Sequence, residues 1–324
     1  GGTGVISSAC AELAVARGID LYILNRGKTS LRPIPAGATS LKGDIRDETS
    51  VRRAIGELRF DAVVEWLAFS PEHIDLDLRL FDGRTDQYIF ISTASAYQTP
   101  PANLPIIEST PLYNPYWGYS RAKIACEDRL MRAYRETGFP ITIVRPSHTY
   151  DATKVPMIGR YTALDRMMRG EKVILHGDGS SLWTLTHHRD FAKGLVGLLG
   201  NPHAIGEAFH ITSDEVLTWN QIYETLARAA GVTADIVHIP SQVINLYDAE
   251  LGEALLGDKT NNMVLDNSKI KRIVPDFKAT IPFYQGASEI VAWYAADPER
   301  QVIQNHWNEL FARLLAGYER MLPR

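Results

Sequence analysis

Tyr119-Ser120-Arg121-Ala122-Lys123 puts a phenol and an ammonium four residues apart, which on a helix is one face. A cation beside a phenol favours the ionised form and draws its pKa down from about 10. Such a pair can pass a proton to or from an oxygen near neutral pH. The spacing alone is weak, because the chain has 14 tyrosines and a second instance, Tyr150 to Lys154. Tyr150 is set aside because it follows the strand-like run Ile141–Arg145 and enters a loop reaching Pro156, where helical spacing does not apply. Tyr119 instead heads a long periodic apolar pattern. A further hydroxyl comes from Ile91-Ser92-Thr93-Ala94-Ser95-Ala96-Tyr97, where a strand ends 26 residues before Tyr119 and Thr93 can hydrogen-bond a substrate oxygen.

Gly1-Gly2-Thr3-Gly4-Val5-Ile6-Ser7 fits the phosphate-binding turn of a dinucleotide fold. Gly1 permits the tight turn, Gly4 lets the backbone approach a pyrophosphate, and a helix N-terminus follows. Ser7 stands where a third glycine would ease helix–strand packing, and serine is small enough to replace it. A turn of this kind follows a β-strand, so a strand is expected ahead of Gly1. Asn25 ends the next strand, at the place where an acid would hold the ribose 2'-hydroxyl of NAD. With a neutral side chain there, and Arg26 and Lys28 beyond it, a 2'-phosphate is better served; NADP is favoured, with NAD as the alternative. The competing reading of Arg26 is a solvated surface arginine. Gly43-Asp44-Ile45 reads equally as a rest for the adenine or as a helix-capping aspartate.

These groups must be positioned by an alternating α/β frame. Asp20–Asn25, Ser40–Asp44, Asp61–Trp66, Gln87–Ser92 and Ile141–Arg145 read as strands, and Ile6–Arg17, Glu48–Leu58, His73–Leu80 and Tyr119–Thr137 as helices laid on a sheet. That rhythm predicts a Rossmann-type, doubly wound parallel sheet with a smaller C-terminal substrate-binding domain. Residues 1–150 form the first unit, and 187–212 are expected to return to it. Residues 151–186 and 213–324 form the second, closing on a helix near Arg300–Tyr318. On that helix Trp307, Phe311, Leu315, Tyr318 and Met321 read as one face, either core or a homodimer interface.

A length of 324 residues with 45% hydrophobic side chains is enough for such a core and excludes a disordered chain. The net charge of -4, with no Lys/Arg run longer than two, argues against nucleic acid. No apolar stretch reaches the roughly 18 residues of a membrane span. Two isolated cysteines, Cys10 and Cys126, suit a reducing, cytoplasmic setting. His187, His188 and Asp190 invite a metal, but adjacent strand residues face opposite ways, so no metal is assigned.

Taken together, the glycine turn, Gly43-Asp44-Ile45, Ser92-Thr93…Tyr97, Tyr119…Lys123, Arg145-Pro146…Tyr150 and Gly177-Asp178-Gly179…His187…Asp190 resemble the extended short-chain dehydrogenase/reductase superfamily of NAD(P)-dependent epimerases and dehydratases, over nearly the whole chain. The resemblance implies that Thr93 polarises the reacting oxygen, that Tyr119 is the acid/base and that Lys123 binds the nicotinamide ribose. It also implies a coenzyme bordered by Gly1, Gly4, Val5, Ile6, Asn25, Arg26, Lys28, Asp44, Ile45, Leu67, Ala68 and Pro146.

Departures from the family pattern narrow the chemistry. Dehydratases and decarboxylases of the group carry acids just after the threonine, where this chain has Ala94 and Ser95, so elimination is not expected. Trp66, at a strand end where the family has smaller residues, reads as buried packing. The arginine that grips a nucleotide diphosphate falls on Trp183, the neighbouring glutamine on Ser181, and a substrate-binding asparagine on His148. Trp183 and His148 are therefore the candidate substrate contacts, for a free or phosphorylated sugar or another hydroxylated molecule. The reaction expected is hydride transfer at a secondary alcohol or ketone of a sugar-like substrate. The alternatives are a reductase of a non-sugar carbonyl and a catalytically silent binding protein of the same fold.

Overall fold

The computed structural model describes residues 1–28 and 31–321. In the first half, helix and strand alternate as α1 (Val5–Ala16), β1 (Tyr22–Asn25), β2 (Thr39–Lys42), α2 (Glu48–Ile55), β3 (Val63–Glu65), α3 (Pro71–Phe81), β4 (Tyr88–Ile91), α4 (Gly118–Thr137) and β5 (Ile141–Pro146). Most strands are shorter than the apolar runs that signal them, because residues beyond a neighbour's end have nothing to bond. Every residue of β4 and β5 is buried, as a parallel strand covered on both faces must be.

The second half adds β6 (His148–Tyr150), α5 (Arg160–Met168), β7 (Val173–His176), β8 (Leu182–Trp183), β9 (Leu185–His187), α6 (His188–Leu198), β10 (Ala208–Ile211), β11 (Leu217–Thr218), α7 (Trp219–Ala229) and β12 (Ile236–Ile239). Helices α8 (Ser241–Tyr247) and α9 (Ala249–Ala254) lead into a π-helical turn, Leu255–Lys259. Helices α10 (Ser268–Ile273), α11 (Phe283–Ala295) and α12 (Asn305–Met321) complete the described chain.

Strands β10-β5-β4-β3 form a parallel sheet in that order, and β1 and β2 form a separate parallel pair. One face of the sheet packs Ala9, Ala14, Phe191, Leu195 and Phe209; the other packs Val51, Ile74, Leu80, Phe90 and Leu130. A third core, around Trp183, Trp219, Tyr223, Phe283 and Phe311, holds the remaining elements together.

Three expectations are corrected here. Helix α10, placed by sequence in the substrate-binding part, packs Ile270 into the first sheet's core together with Val274 and Phe277. The missing Cβ of Gly197 makes room, since one there would lie 2.3 Å from Val274. The closing helix starts at Asn305 and buries Leu310, Phe311 and Leu314, whereas Met321 is exposed. Of the expected face, Trp307, Leu315 and Tyr318 also pack, partly buried, against the third core, and Met321 alone departs from it. His187 ends β9 and His188 begins α6, so their rings do not diverge as they would within a strand; they meet edge to face at 4.5 Å. His187 is engaged by Glu289 at 3.0 Å. Among the described residues no helix is long and apolar enough to cross a membrane.

Candidate active site

A cleft of about 830 Å³ runs along the C-terminal ends of β1 to β5, from the glycine turn to the third core. This is where an open α/β sheet gathers ligand-binding groups, because the loops that leave the strands converge there.

At the glycine end, Gly2 has φ +89°, and a Cβ there would lie 2.7 Å from Ile23. Gly2 therefore makes a left-handed turn. Gly1 is needed for a different reason, since its Cβ would lie 2.5 Å from Trp66. Gly4 is the extended residue ahead of α1, and its N–H donates to Ser7 Oγ at 2.8 Å. Ser7 thus does more than replace a glycine: it closes the first turn. The N–H groups of Val5 and Ile6 are out of reach of the helix's own carbonyls, and with the helix dipole they suit a pyrophosphate.

Asn25 folds its side-chain oxygen back onto Gly27 N–H at 2.8 Å. Arg26, largely exposed, lies 3.8 Å from the Asp44 carboxylate. Asp44 is not the helix cap; Asp47 is, accepting from Ser50 N–H at 3.1 Å. Trp66 is only half-buried and lies against Gly1 in the cleft, while Glu65 is the buried member of that pair. Glu65 meets Arg46 at 3.4 Å and accepts from Leu67 N–H at 2.5 Å. The turn, the free helix terminus and the cations at Arg26 and Lys28 fit a dinucleotide coenzyme.

At the centre are Thr93, Tyr119 and Lys123. Thr93 caps a short 3-10 turn, accepting from Ser95 N–H at 3.2 Å and meeting Ser95 Oγ at 3.0 Å. Ser120 Oγ donates to that same Ser95 oxygen at 2.8 Å, so the hydrogen of Ser95 is directed to Thr93. Both lone pairs of Thr93 are then filled, and its own hydrogen is left for the Tyr119 phenol or for an oxygen in the cleft. The Tyr119 phenol is pushed up to about 12 by burial and by the Asp258 charge, with a hydrogen bond to Thr93 opposing the rise. Lys123 is buried and pulled down to about 8 by desolvation. Its ammonium donates to Ala68 O and Ile91 O, both at 2.8 Å, and lies over the rings of Phe69 and Phe90. The expected lowering of the phenol by Lys123 is therefore not realised here, because two carbonyls hold the cation.

Buried Asn114 links the parts of this centre. Its Nδ2 donates to Ser95 O at 2.8 Å and to Gly257 O at 2.6 Å, and its Oδ1 accepts from Trp117 N–H at 3.1 Å. The turn bearing Thr93, the start of α4 and the π-helical turn are thereby drawn together. Gly257 permits the approach, since a Cβ there would lie 2.6 Å from Trp117. π-helical turns recur at functional sites, and this one carries Asp258 and Lys259 into the cleft.

The far end is lined by His148, Lys154, Trp183, Asp258, Lys259 and Met263. His148 is held well below its usual pKa by burial and by the nearby lysines, and is neutral. Its Nε2 and the Trp183 Nε1 are buried without a partner. Trp183 packs on Trp219 at 5.3 Å.

Thr93, Tyr119, Lys123, His148 and Trp183 all line one cleft with Gly1, Gly4, Ile6, Asn25, Arg26, Lys28, Asp44, Ile45, Leu67 and Pro146. Val5 and Ala68 do not line it; Ala68 is buried and contributes only its carbonyl. Tyr150 lies in strand β6, not a loop, with Phe283 and His187 edge-on to its ring. It stays outside the cleft, whereas Lys154, passed over with it, lines the far end. Asp258 and Lys259 carry no local motif and were equally invisible.

A match to the NAD dependent epimerase/dehydratase family covers residues 1–212. The chain belongs to that family, and its fold is that of the extended short-chain dehydrogenase/reductase group. It is 31% identical over 146 residues to a UDP-glucose 4-epimerase of Streptomyces lividans, covering 39% of this chain and 44% of that one. It is 24% identical over 251 residues to the chloroplast stem-loop binding protein of 41 kDa b of Arabidopsis thaliana, covering 74% of this chain and 64% of that one. The matches thus span less than two thirds of these relatives' own lengths. A dTDP-glucose 4,6-dehydratase of Bacillus anthracis, solved in complex with NAD, superimposes with a TM-score of 0.73 at 21% identity, over 92% of this chain and 96% of that one.

Proposed function

We propose that this protein is an NAD(P)-dependent oxidoreductase or epimerase acting at a secondary alcohol or ketone of a sugar-like substrate, with Tyr119 as acid/base. The observation that carries the reading is the placement of Tyr119, Thr93 and Lys123 in the cleft that starts at the glycine turn. A nicotinamide coenzyme, when bound, supplies the hydride donor or acceptor. With a pKa near 12, Tyr119 is protonated at neutral pH and can donate to a ketone oxygen; Thr93 can turn its hydrogen from the phenol to the same oxygen. Lys123 presents a cation at the same place for a ribose hydroxyl. The exposed pair Arg26 and Lys28 favours NADP, although Arg26 must leave Asp44 to meet a 2'-phosphate.

The substrate is read as lacking a nucleotide diphosphate. Trp183 offers one indole donor where a guanidinium would neutralise two phosphates. Calorimetric titration of the coenzyme-loaded protein with UDP, GDP and dTDP tests this. No saturation in the micromolar range is expected; micromolar binding competitive with turnover would return the substrate to the nucleotide sugars.

A further inference from the structure

We infer that the far end of the cleft is a subsite for a single anionic group carried by the substrate, a carboxylate or a phosphate monoester, held by Lys154 and Lys259. The inference rests on the reading of the cleft as a coenzyme-plus-substrate site and names the substrate class it takes. Lys154 lines the cleft, and its ammonium makes one hydrogen bond, to Thr149 O at 3.1 Å. Among the described residues no carboxylate lies within ion-pair distance of it. The nearby Asp151 is held by Arg32 at 2.7 Å. Lys259 meets Asp258 at 3.0 Å, and its ammonium lies 5.9 Å from the ring centres of both Trp117 and Trp183. The charged residues that line the cleft at this end, Lys154, Lys259 and Asp258, sum to one unit of positive charge, which matches one negative charge; Arg160, close to Lys154, does not line it. An ammonium withdrawn from water needs a compensating charge; burial and the neighbouring cations Lys259 and Arg160 already pull Lys154 down to about 8.

The uncharged groups around the lysines point the same way. His148 Nε2 and Trp183 Nε1 are buried in the cleft wall without partners. An indole N–H can only donate, and a neutral imidazole can donate from Nε2 in one tautomer. Two cations therefore line a space with one competing carboxylate, which is itself engaged, and two partnerless ring nitrogens lie buried in its wall. An uncharged hydroxyl group would leave Lys154 without a counter-charge; an anionic oxygen would not.

The test uses the full chain loaded with coenzyme, at constant ionic strength set by chloride. Lysines are methylated briefly with formaldehyde and dimethylamine borane, with and without inorganic phosphate or acetate, and labelling is read peptide by peptide by mass spectrometry. Either anion should protect Lys154 at least fivefold more than exposed Lys278. Stronger protection by phosphate assigns a phosphoryl group, and stronger protection by acetate a carboxylate. In Lys154→Met, anion protection of Lys259 should fall at least threefold. Labelling of Lys154 that is the same with and without both anions overturns the inference, as does undiminished protection of Lys259 in the variant. Coenzyme binding, followed by fluorescence on the same samples, separates the two readings: its absence defeats the proposed function, whereas coenzyme binding without anion protection defeats only the subsite.

Discussion

The two ends of the cleft are built in different ways. The glycine end is made of consecutive residues, Gly1 to Ser7, and works through backbone N–H groups and one helix terminus. The far end is made of side chains contributed by β6, the turn after it, β8 and a π-helical turn more than a hundred residues beyond β6. A phosphate chain common to all nucleotide coenzymes can be met by backbone alone, which any sequence with the right glycines provides. A particular substrate requires particular side chains, and those have to be brought in by tertiary packing. The near end is therefore generic and local, the far end specific and assembled, and Tyr119 stands where they join.

Replacing Tyr119 by Phe tests that junction and should have the largest effect. Turnover is expected to fall by roughly 10²–10⁴, the usual worth of a positioned proton donor, with coenzyme affinity unchanged within a few fold. Tyr150→Phe, whose hydroxyl has no partner, should leave turnover nearly intact. If coenzyme affinity in Tyr119→Phe fell in step with turnover, the two ends would not be separable.

Lys123 bears on stability as well as on chemistry. Its folded pKa, about 8 against 10.5, means that the unfolded chain binds more protons between those values. Stability should therefore rise with pH across that window, with the penalty for burying the charge fully present below pH 8. In chemical denaturation of the ligand-free protein, Lys123→Met should lose about 2 kcal/mol of the wild-type rise between pH 8 and 10.5. Parallel curves for the two proteins would show that the ammonium is not desolvated. Lys154 contributes a rise of the same sign, so the variant should flatten the curve without levelling it.

Arg26→Ala addresses the glycine end alone and should have the smallest effect. Losing one exposed charge-assisted contact should weaken NADP about tenfold and leave NAD almost unchanged, as read by coenzyme fluorescence titration. Equal losses for both coenzymes, or a wild type that prefers NAD, would make Arg26 merely the partner of Asp44.

Several elements could be read from the chain because their signals are local. The four buried residues Tyr88–Ile91 announced a central strand, and the periodic helix after Tyr119 was sound to within one residue at its start. Errors arose where a neighbour decides. Gly2, at positive φ, has no room for a Cβ beside Ile23, and Trp66, half-buried against the sheet core, also lies against Gly1 at the cleft. The phenol of Tyr119 is raised by burial and by the Asp258 charge, and the Lys123 ammonium, which donates to the carbonyls of Ala68 and Ile91, does not offset the rise.

By itself the sequence determined the alternating α/β order, since hydrophobic periodicity acts over one or two turns of chain, and it offered the glycine turn, Thr93, Tyr119 and Lys123 as candidates, the last three in roles implied by the family resemblance. Only the tertiary structure decided that Lys154, Asp258 and Lys259 share a cleft with them, and that Asn114 draws the turn of Thr93 to the turn of Lys259. Charges separated by a hundred residues leave no periodic trace, and their meeting is set by which cores the intervening helices fill.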